Sequence, residues 1–223
     1  MKRSNQLILV TGGVRSGKSR WAEALAKEIG GPVTYIATSQ IEDEEMVERV
    51  RRHQERRPAD WTTMEAPWDL AGALRQLPAG TRTVVIDCLG VFMVVISNLM
   101  LKIVGDGDPT LPEVETEILS AVWSFLQARA TVPATIIVVT NEAGLGVVPP
   151  SALGRAFRDY LGWANQMVAA AADIVYLTVA GIPLSIKGGQ ELATSGENPG
   201  LHKTTEENRS SWVVISGGNQ VDR

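Results

Sequence analysis

An apolar run, Leu7-Ile8-Leu9-Val10, leads through Thr11 into Gly12-Gly13-Val14-Arg15-Ser16-Gly17-Lys18-Ser19, which spells G-x-x-x-x-G-K-[ST]. Few short patterns restrict a fold as tightly, because this one works only at a junction of strand, tight loop and helix. The glycines reach backbone conformations closed to other residues and turn main-chain N–H groups toward an anion. Lys18 is placed to reach β/γ-phosphates, and the Ser19 hydroxyl to ligate Mg²⁺. A helix opening near Gly17 adds its positive N-terminal dipole to the same anion site. The flanks meet the requirement: Ser19–Ile29 has helical periodicity, and Gly30-Gly31-Pro32 stops it. The motif implies a nucleoside triphosphate as ligand.

The rest of the chain reads as the α/β frame such a loop needs. Short β-branched runs mark strands at Leu7–Thr11, Val33–Thr38, Thr83–Cys88, Thr135–Thr140 and Ile174–Val179, with a short edge strand at Leu184–Lys187. Helical periodicity marks Ser19–Ile29, Asp43–Arg57, Trp68–Leu77, about Val94–Val104, Pro112–Ala130 and Ser151–Ala172. The alternation predicts a P-loop NTPase-like α/β domain over residues 1–187, its mostly parallel sheet carrying helices on both faces. Residues 188–223 are rich in Gly, Ser, Thr, Asn and Glu, with one apolar cluster at Trp212–Ile215, and read as a polar, mobile tail.

Composition narrows the function classes. A net charge of −4 argues against general nucleic-acid binding. Cys88 is the single cysteine, so no intrachain disulfide forms, and a reducing, cytoplasmic compartment is expected. The most apolar region, Val84–Val104, is interrupted by Asp87, Asn98 and Lys102, which predicts a buried strand and core helix rather than a membrane span.

Two further places carry chemistry. Asp87 ends the run T-V-V-I-D, where a carboxylate at a strand end is held near the Mg²⁺ of a phosphate loop; the lesser alternative is a strand-end aspartate that caps the next element. Ligands of parallel sheets gather at the carboxyl ends of strands, which brings Asp87 toward Ser19. His53 lies in E-E-M-V-E-R-V-R-R-H-Q-E-R-R-P. On a helix it shares a face with Met46, Val50 and Arg57, flanked by Arg49 and Arg56. Guanidiniums there suit phosphate capture and favour the neutral, nucleophilic imidazole. On residue physics alone, a solvated basic helix with an incidental histidine is the commoner outcome of such a charge run. Asn141–Gly146 follows the fourth strand and reads either as a ligand-facing loop or as a structural turn. Arg155, Arg158 and Asp159 read as a salt-bridged surface, and His202 as solvated.

Taken together, the segments I-L-V-T-G-G-V-R-S-G-K-S-R-W-A-E, Y-I-A-T-S-Q, E-M-V-E-R-V-R-R-H-Q-E-R-R-P-A-D-W-T-T-M-E, V-V-I-D-C-L, S-N-L-M, V-T-N-E-A-G-L-G-V-V-P, R-A-F-R-D-Y-L-G-W-A-N-Q and A-A-A-A-D-I-V-Y-L-T-V-A-G-I-P-L-S-I-K resemble the bifunctional adenosylcobinamide kinase/adenosylcobinamide-phosphate guanylyltransferase family. The resemblance covers most of Leu7–Lys187, in order. It implies NTP-dependent phosphorylation of adenosylcobinamide, then GMP transfer from GTP to the product through a guanylylated histidine, giving adenosylcobinamide-GDP and pyrophosphate. The family histidine maps onto His53 and the phosphate loop onto Gly12–Ser19, with Lys18 catalytic. Nucleotide contacts are implied at Thr38, Ser39, Gln40, Arg56, Arg57, Glu65 and Asp87, Mg²⁺ at Ser19 and Asp87, ATP and GTP as substrates, and a homo-oligomer, expected to be a trimer. Three departures stand out: the spacing between Asp87-Cys88-Leu89 and Ser97-Asn98-Leu99, Trp163 where a basic residue often precedes the asparagine, and the tail after Lys187. The rival readings are a guanylyltransferase-only member, another small-molecule kinase, and a non-catalytic nucleotide-binding regulator. Retention of Lys18, Ser19, Asp87 and His53 together disfavours the regulator, since binding alone needs no nucleophile.

Overall fold

The computed structural model describes residues 5–39, 57–93 and 108–188. Seven strands form one sheet: β1 (Leu7–Gly12), β2 (Val33–Ala37), β3 (Thr62–Glu65), β4 (Thr83–Asp87), β5 (Thr135–Val139), β6 (Ile174–Val179) and β7 (Ile182–Lys187). Their spatial order is β3-β2-β4-β5-β1-β6-β7. All neighbouring pairs are parallel except β6 and β7, which are antiparallel. The helices are α1 (Lys18–Ile29), α2 (Leu70–Arg75), α3 (Pro112–Arg129) and α4 (Ala152–Ala171), and residues 89–93 are also helical.

Strands buried on both faces must be apolar at successive positions, and this explains the unbroken runs. Leu7 and Leu9 point into a core shared with Leu70, Phe125, Leu161 and Val168 of α2, α3 and α4. Ile8 and Val10 point the other way, onto Ala22, Leu25 and Ala26 of α1. Tyr35 of β2, Val85 of β4 and Cys88 just after β4 join that α1 face. The expected two-sided sheet is therefore the observed one.

Three local differences have physical causes. β3, with the sequence T-T-M-E, lay outside the expected strands because three of its four residues are exposed at the sheet edge and carry no apolar alternation. The expected helix over Trp68–Leu77 contracts to Leu70–Arg75, because the Asp69 carboxylate accepts from the Gly72 amide at 2.7 Å and sets the start there. The edge strand begins at Ile182, two residues before its expected start, after a tight turn at Ala180 and Gly181. The expected helices at Asp43–Arg57 and Val94–Val104 fall wholly or mostly outside the described residues, as does the stretch from 189 onward.

Candidate nucleotide site

Every parallel strand delivers its carboxyl end to one edge, and the phosphate loop lies there. β1 closes at Gly12, whose φ of 151° is paired with close packing against the Thr178 carbonyl oxygen of β6. Gly13, Val14 and Arg15 are exposed, and Ser16 turns back inward. The Ser16 amide donates to the Gly13 carbonyl at 3.2 Å, and its hydroxyl lies 2.8 Å from that of Thr178. The Ser16 carbonyl accepts from the Gly181 amide at 2.9 Å, bracing the loop against the β6–β7 turn. On its other side, the Glu142 amide donates to the Gly12 carbonyl at 2.9 Å. Asn141–Gly146 is thus rooted on the phosphate loop, and Leu145 and Val147 at its tip are exposed.

α1 starts at Lys18, one residue before its expected start at Ser19. Gly17, in the left-handed region at φ 96°, is the N-cap, and Lys18 is the first helical residue. No side chain caps this terminus and no acid occupies its first turn. The positive end of the helix dipole at this terminus favours an anion. Lys18 is buried, and its ammonium donates to the Gly13 carbonyl at 2.7 Å, folding over the loop from the helix. Ser19 is half-buried in the same first turn.

The strand register assembles the second half of the site. Glu65, Ala37, Asp87, Val139 and Val10 form one row across β3, β2, β4, β5 and β1. Asp87 is thus level with the end of β1 and two strands away, roughly 10 Å at the usual strand spacing. By alternation from Val85, its side chain faces α1, the helix that carries Lys18 and Ser19. The Tyr35 hydroxyl donates to Asp87 Oδ2 at 2.7 Å. Burial, and next the Asp87 charge, push the Tyr35 phenol far above its usual range, so it remains the donor. The Arg57 guanidinium stacks on the Tyr35 ring at 3.4 Å from its centroid. Burial, then Asp87, push the Cys88 thiol up to about 11, while Lys18 is among the groups that pull it down, so both charges act on this corner.

Of the nucleotide residues implied by resemblance, the structure brings the phosphate loop, Glu65 and Asp87 to the one carboxyl edge, and it sets Arg57 against the ring of Tyr35, which bonds Asp87. Ser39 is half-buried there. Thr38 lies next to Ser39, against the turn after β4. It is fully buried, and its hydroxyl donates to the Cys88 carbonyl at 2.8 Å and accepts from the Cys88 amide at 2.9 Å. Its hydroxyl is engaged with the turn after β4. Gln40, His53 and Arg56 lie outside the described residues, together with Arg49, Met46, Val50 and His202. Sequence reasoning missed Tyr35 as the partner of Asp87, and Thr178 and Gly181 as braces of the loop. A tyrosine inside the aliphatic run V-T-Y-I-A was the available signal, since a buried phenol needs an acceptor.

A metal would find suitable donors here. Ser19 and Asp87 offer hard oxygen atoms, and among the described residues no cluster of three or more His, Cys, Asp or Glu forms an all-protein cage. Also among the described residues, no helix is long and apolar enough to cross a membrane.

A family model described as cobinamide kinase / cobinamide phosphate guanyltransferase matches residues 8–186. The bifunctional adenosylcobalamin biosynthesis protein CobP of Pseudomonas aeruginosa is 43% identical over 180 residues, covering 81% of this chain and 96% of its own length. The corresponding protein CobU of Escherichia coli is 42% identical over 184 residues, covering 81% and 99%. Among solved structures, the flagellar accessory protein FlaH of Methanocaldococcus jannaschii overlays with a TM-score of 0.43 at 15% identity, covering 84% of this chain and 82% of its own.

Proposed function

The chain belongs to the cobinamide kinase/cobinamide phosphate guanyltransferase family, and on that premise we propose that it carries out both reactions in sequence through a guanylylated His53. In the first, the aminopropanol hydroxyl of adenosylcobinamide attacks the γ-phosphorus of a nucleoside triphosphate, losing its proton and releasing the diphosphate. In the second, the imidazole of His53 attacks the α-phosphorus of GTP and pyrophosphate leaves. An oxygen of adenosylcobinamide phosphate then displaces the histidine, giving adenosylcobinamide-GDP.

The observation that carries this reading is the uncapped α1 terminus with Lys18 folded over the loop, facing a carboxylate fixed at the end of β4. Phosphoryl transfer is almost entirely positioning and charge stabilisation, and these groups supply both. The loop amides hold the phosphates, and the Lys18 ammonium offsets charge that builds on the transferring group. Ser19 and Asp87 would hold Mg²⁺, which when bound neutralises phosphate charge and orients the leaving group. Arg57, stacked on Tyr35, is available to the nucleotide, and Arg49 and Arg56 accompany it in the sequence. These cations favour the uncharged imidazole of His53, the form with a lone pair to attack phosphorus.

Four large aliphatics, Val179, Ile182, Leu184 and Ile186, are each about half exposed on the β6–β7 hairpin, which supports self-association, with a trimer as the proposed state and the cytoplasm as the compartment. The deciding experiment incubates the protein with GTP labelled at the α- or the γ-phosphate. Acid-labile, base-stable label from the α-position alone is the expected result, because a phosphoramidate has that stability. Product masses with adenosylcobinamide should show phosphate, then GMP, added. Absence of α-label and of the GDP product would refute the proposal.

A further inference from the structure

The contacts around Tyr35 assign work to a residue that the two reactions leave unused. Tyr35 is 2% exposed, so nothing from solvent reaches its ring or hydroxyl. Its hydroxyl spans from β2 to Asp87 on β4, and its ring carries the Arg57 guanidinium. The Asp87 contact occupies Oδ2. Arg57 is held mainly through its face. Its Nη1 reaches Thr63 Oγ1 only at 3.4 Å, and its buried Nε has no hydrogen-bond partner. One phenol therefore contacts both the Asp87 carboxylate and the Arg57 guanidinium, leaving acceptor capacity on the first and donor capacity on the second.

We infer that Tyr35 is a positioning residue of the nucleotide site, holding the Asp87 carboxylate turned toward the metal and the Arg57 guanidinium beside it. This rests on the reading of Asp87 as a metal-holding residue. A carboxylate on a strand end rotates about two side-chain bonds, and a metal selects only part of that range. The hydrogen bond to Oδ2 removes the unproductive part before metal arrives. A hydrogen bond to a charged group is strong enough for this, and its loss is roughly a tenfold effect or more on the equilibrium it biases.

The test measures nucleotide affinity by calorimetry, with ATP titrated in Mg²⁺ and again in EDTA. Four proteins are compared: wild type, Tyr35→Phe, Asp87→Asn and the double variant. Phenylalanine keeps the ring, the packing and the support under Arg57, and removes only the hydroxyl. The expected result is that Asp87→Asn abolishes the Mg²⁺-dependent tightening. Tyr35→Phe should reduce it roughly tenfold, leave affinity in EDTA unchanged, and add nothing in the double variant. Tightening that stays at the wild-type level in Tyr35→Phe but is lost in Asp87→Asn overturns the inference and leaves the metal reading standing. Tightening retained in both single variants overturns the metal reading and the inference with it. Equal weakening of Tyr35→Phe in EDTA and in Mg²⁺ assigns the phenol to general structure and likewise overturns the inference.

Discussion

Substituting alanine at Gly12 and Gly13, adjacent in sequence, should have very unequal consequences. At Gly12 an added Cβ would meet the Thr178 carbonyl oxygen, the Thr178 hydroxyl at 2.6 Å and the Ser16 hydroxyl at 2.7 Å. The two hydroxyls are bonded to each other at 2.8 Å, and Thr178 Oγ1 also donates to the Thr11 carbonyl at 3.0 Å, so neither can move without breaking a buried contact. The third neighbour is strand backbone. Overpacking of this kind costs about 1–3 kcal/mol. The φ of 151°, which suits glycine, adds strain of about 1–2 kcal/mol for a residue with a Cβ. The sum is about 2–5 kcal/mol against a total stability on the order of 5–15 kcal/mol. For a chain of this size that lowers the melting temperature by on the order of 10 °C. At Gly13 an added Cβ meets nothing within 4 Å, and the backbone there is not among those with positive φ. Gly13→Ala should therefore melt within about 0.5 kcal/mol of wild type. Thermal and urea unfolding of the two variants without nucleotide decides the matter. Equal melting temperatures would refute the packing account of the loop.

Lys18→Ala should lower both reactions by about 10²–10³ with the fold intact, since it deletes one preorganised charge facing the phosphates; near-normal turnover would rule out the phosphate-loop assignment. His53→Ala should abolish GMP transfer and the covalent GMP adduct while retaining the kinase step, measured by separate γ- and α-label assays, because the corrinoid hydroxyl attacks the γ-phosphorus directly. Unchanged labelling in that variant would place the nucleophile elsewhere. The Cys88 thiol, held at about 11 instead of 9.0, keeps its proton more tightly when folded. Its contribution to stability is therefore complete below about pH 9 and lost as pH rises through about 11, and at pH 8 a disulfide reagent should label it only on unfolding. Equal labelling rates in native and denatured protein would contradict that burial.

The strands that form the middle of the sheet were legible because double burial demands apolar residues in succession, as in L-I-L-V and T-V-V-I-D. The phosphate loop was legible because its chemistry is local. β3 was not, since an exposed edge strand such as T-T-M-E needs no apolar signal; only its pairing with β2 defines it. The link between Tyr35 and Asp87 joins residues 52 positions apart, and that between Ser16 and Thr178 joins residues 162 apart. Such contacts follow from strand order and register, which no window along the chain contains. Thr38 shows the opposite limit. Its place beside the site was legible, but whether its hydroxyl faces ligand or protein depends on the turn after β4, and the turn takes it.

The bracing of the phosphate loop bears on how binding divides between enthalpy and entropy. Ser16, Gly12 and Gly13 are tied to Thr178, Gly181, Glu142 and Lys18 by hydrogen bonds within the chain itself. Fixing a free backbone costs about 1–2 kcal/mol per residue, and here that cost falls on folding rather than on each encounter with a ligand. Triphosphate association should then proceed without a slow ordering step, and its affinity should track the charges it meets. The same arrangement makes nucleotide a stabiliser of the whole domain. A loop that exists only in the folded chain binds only the folded chain, so saturation with ligand should raise the melting temperature by simple mass action.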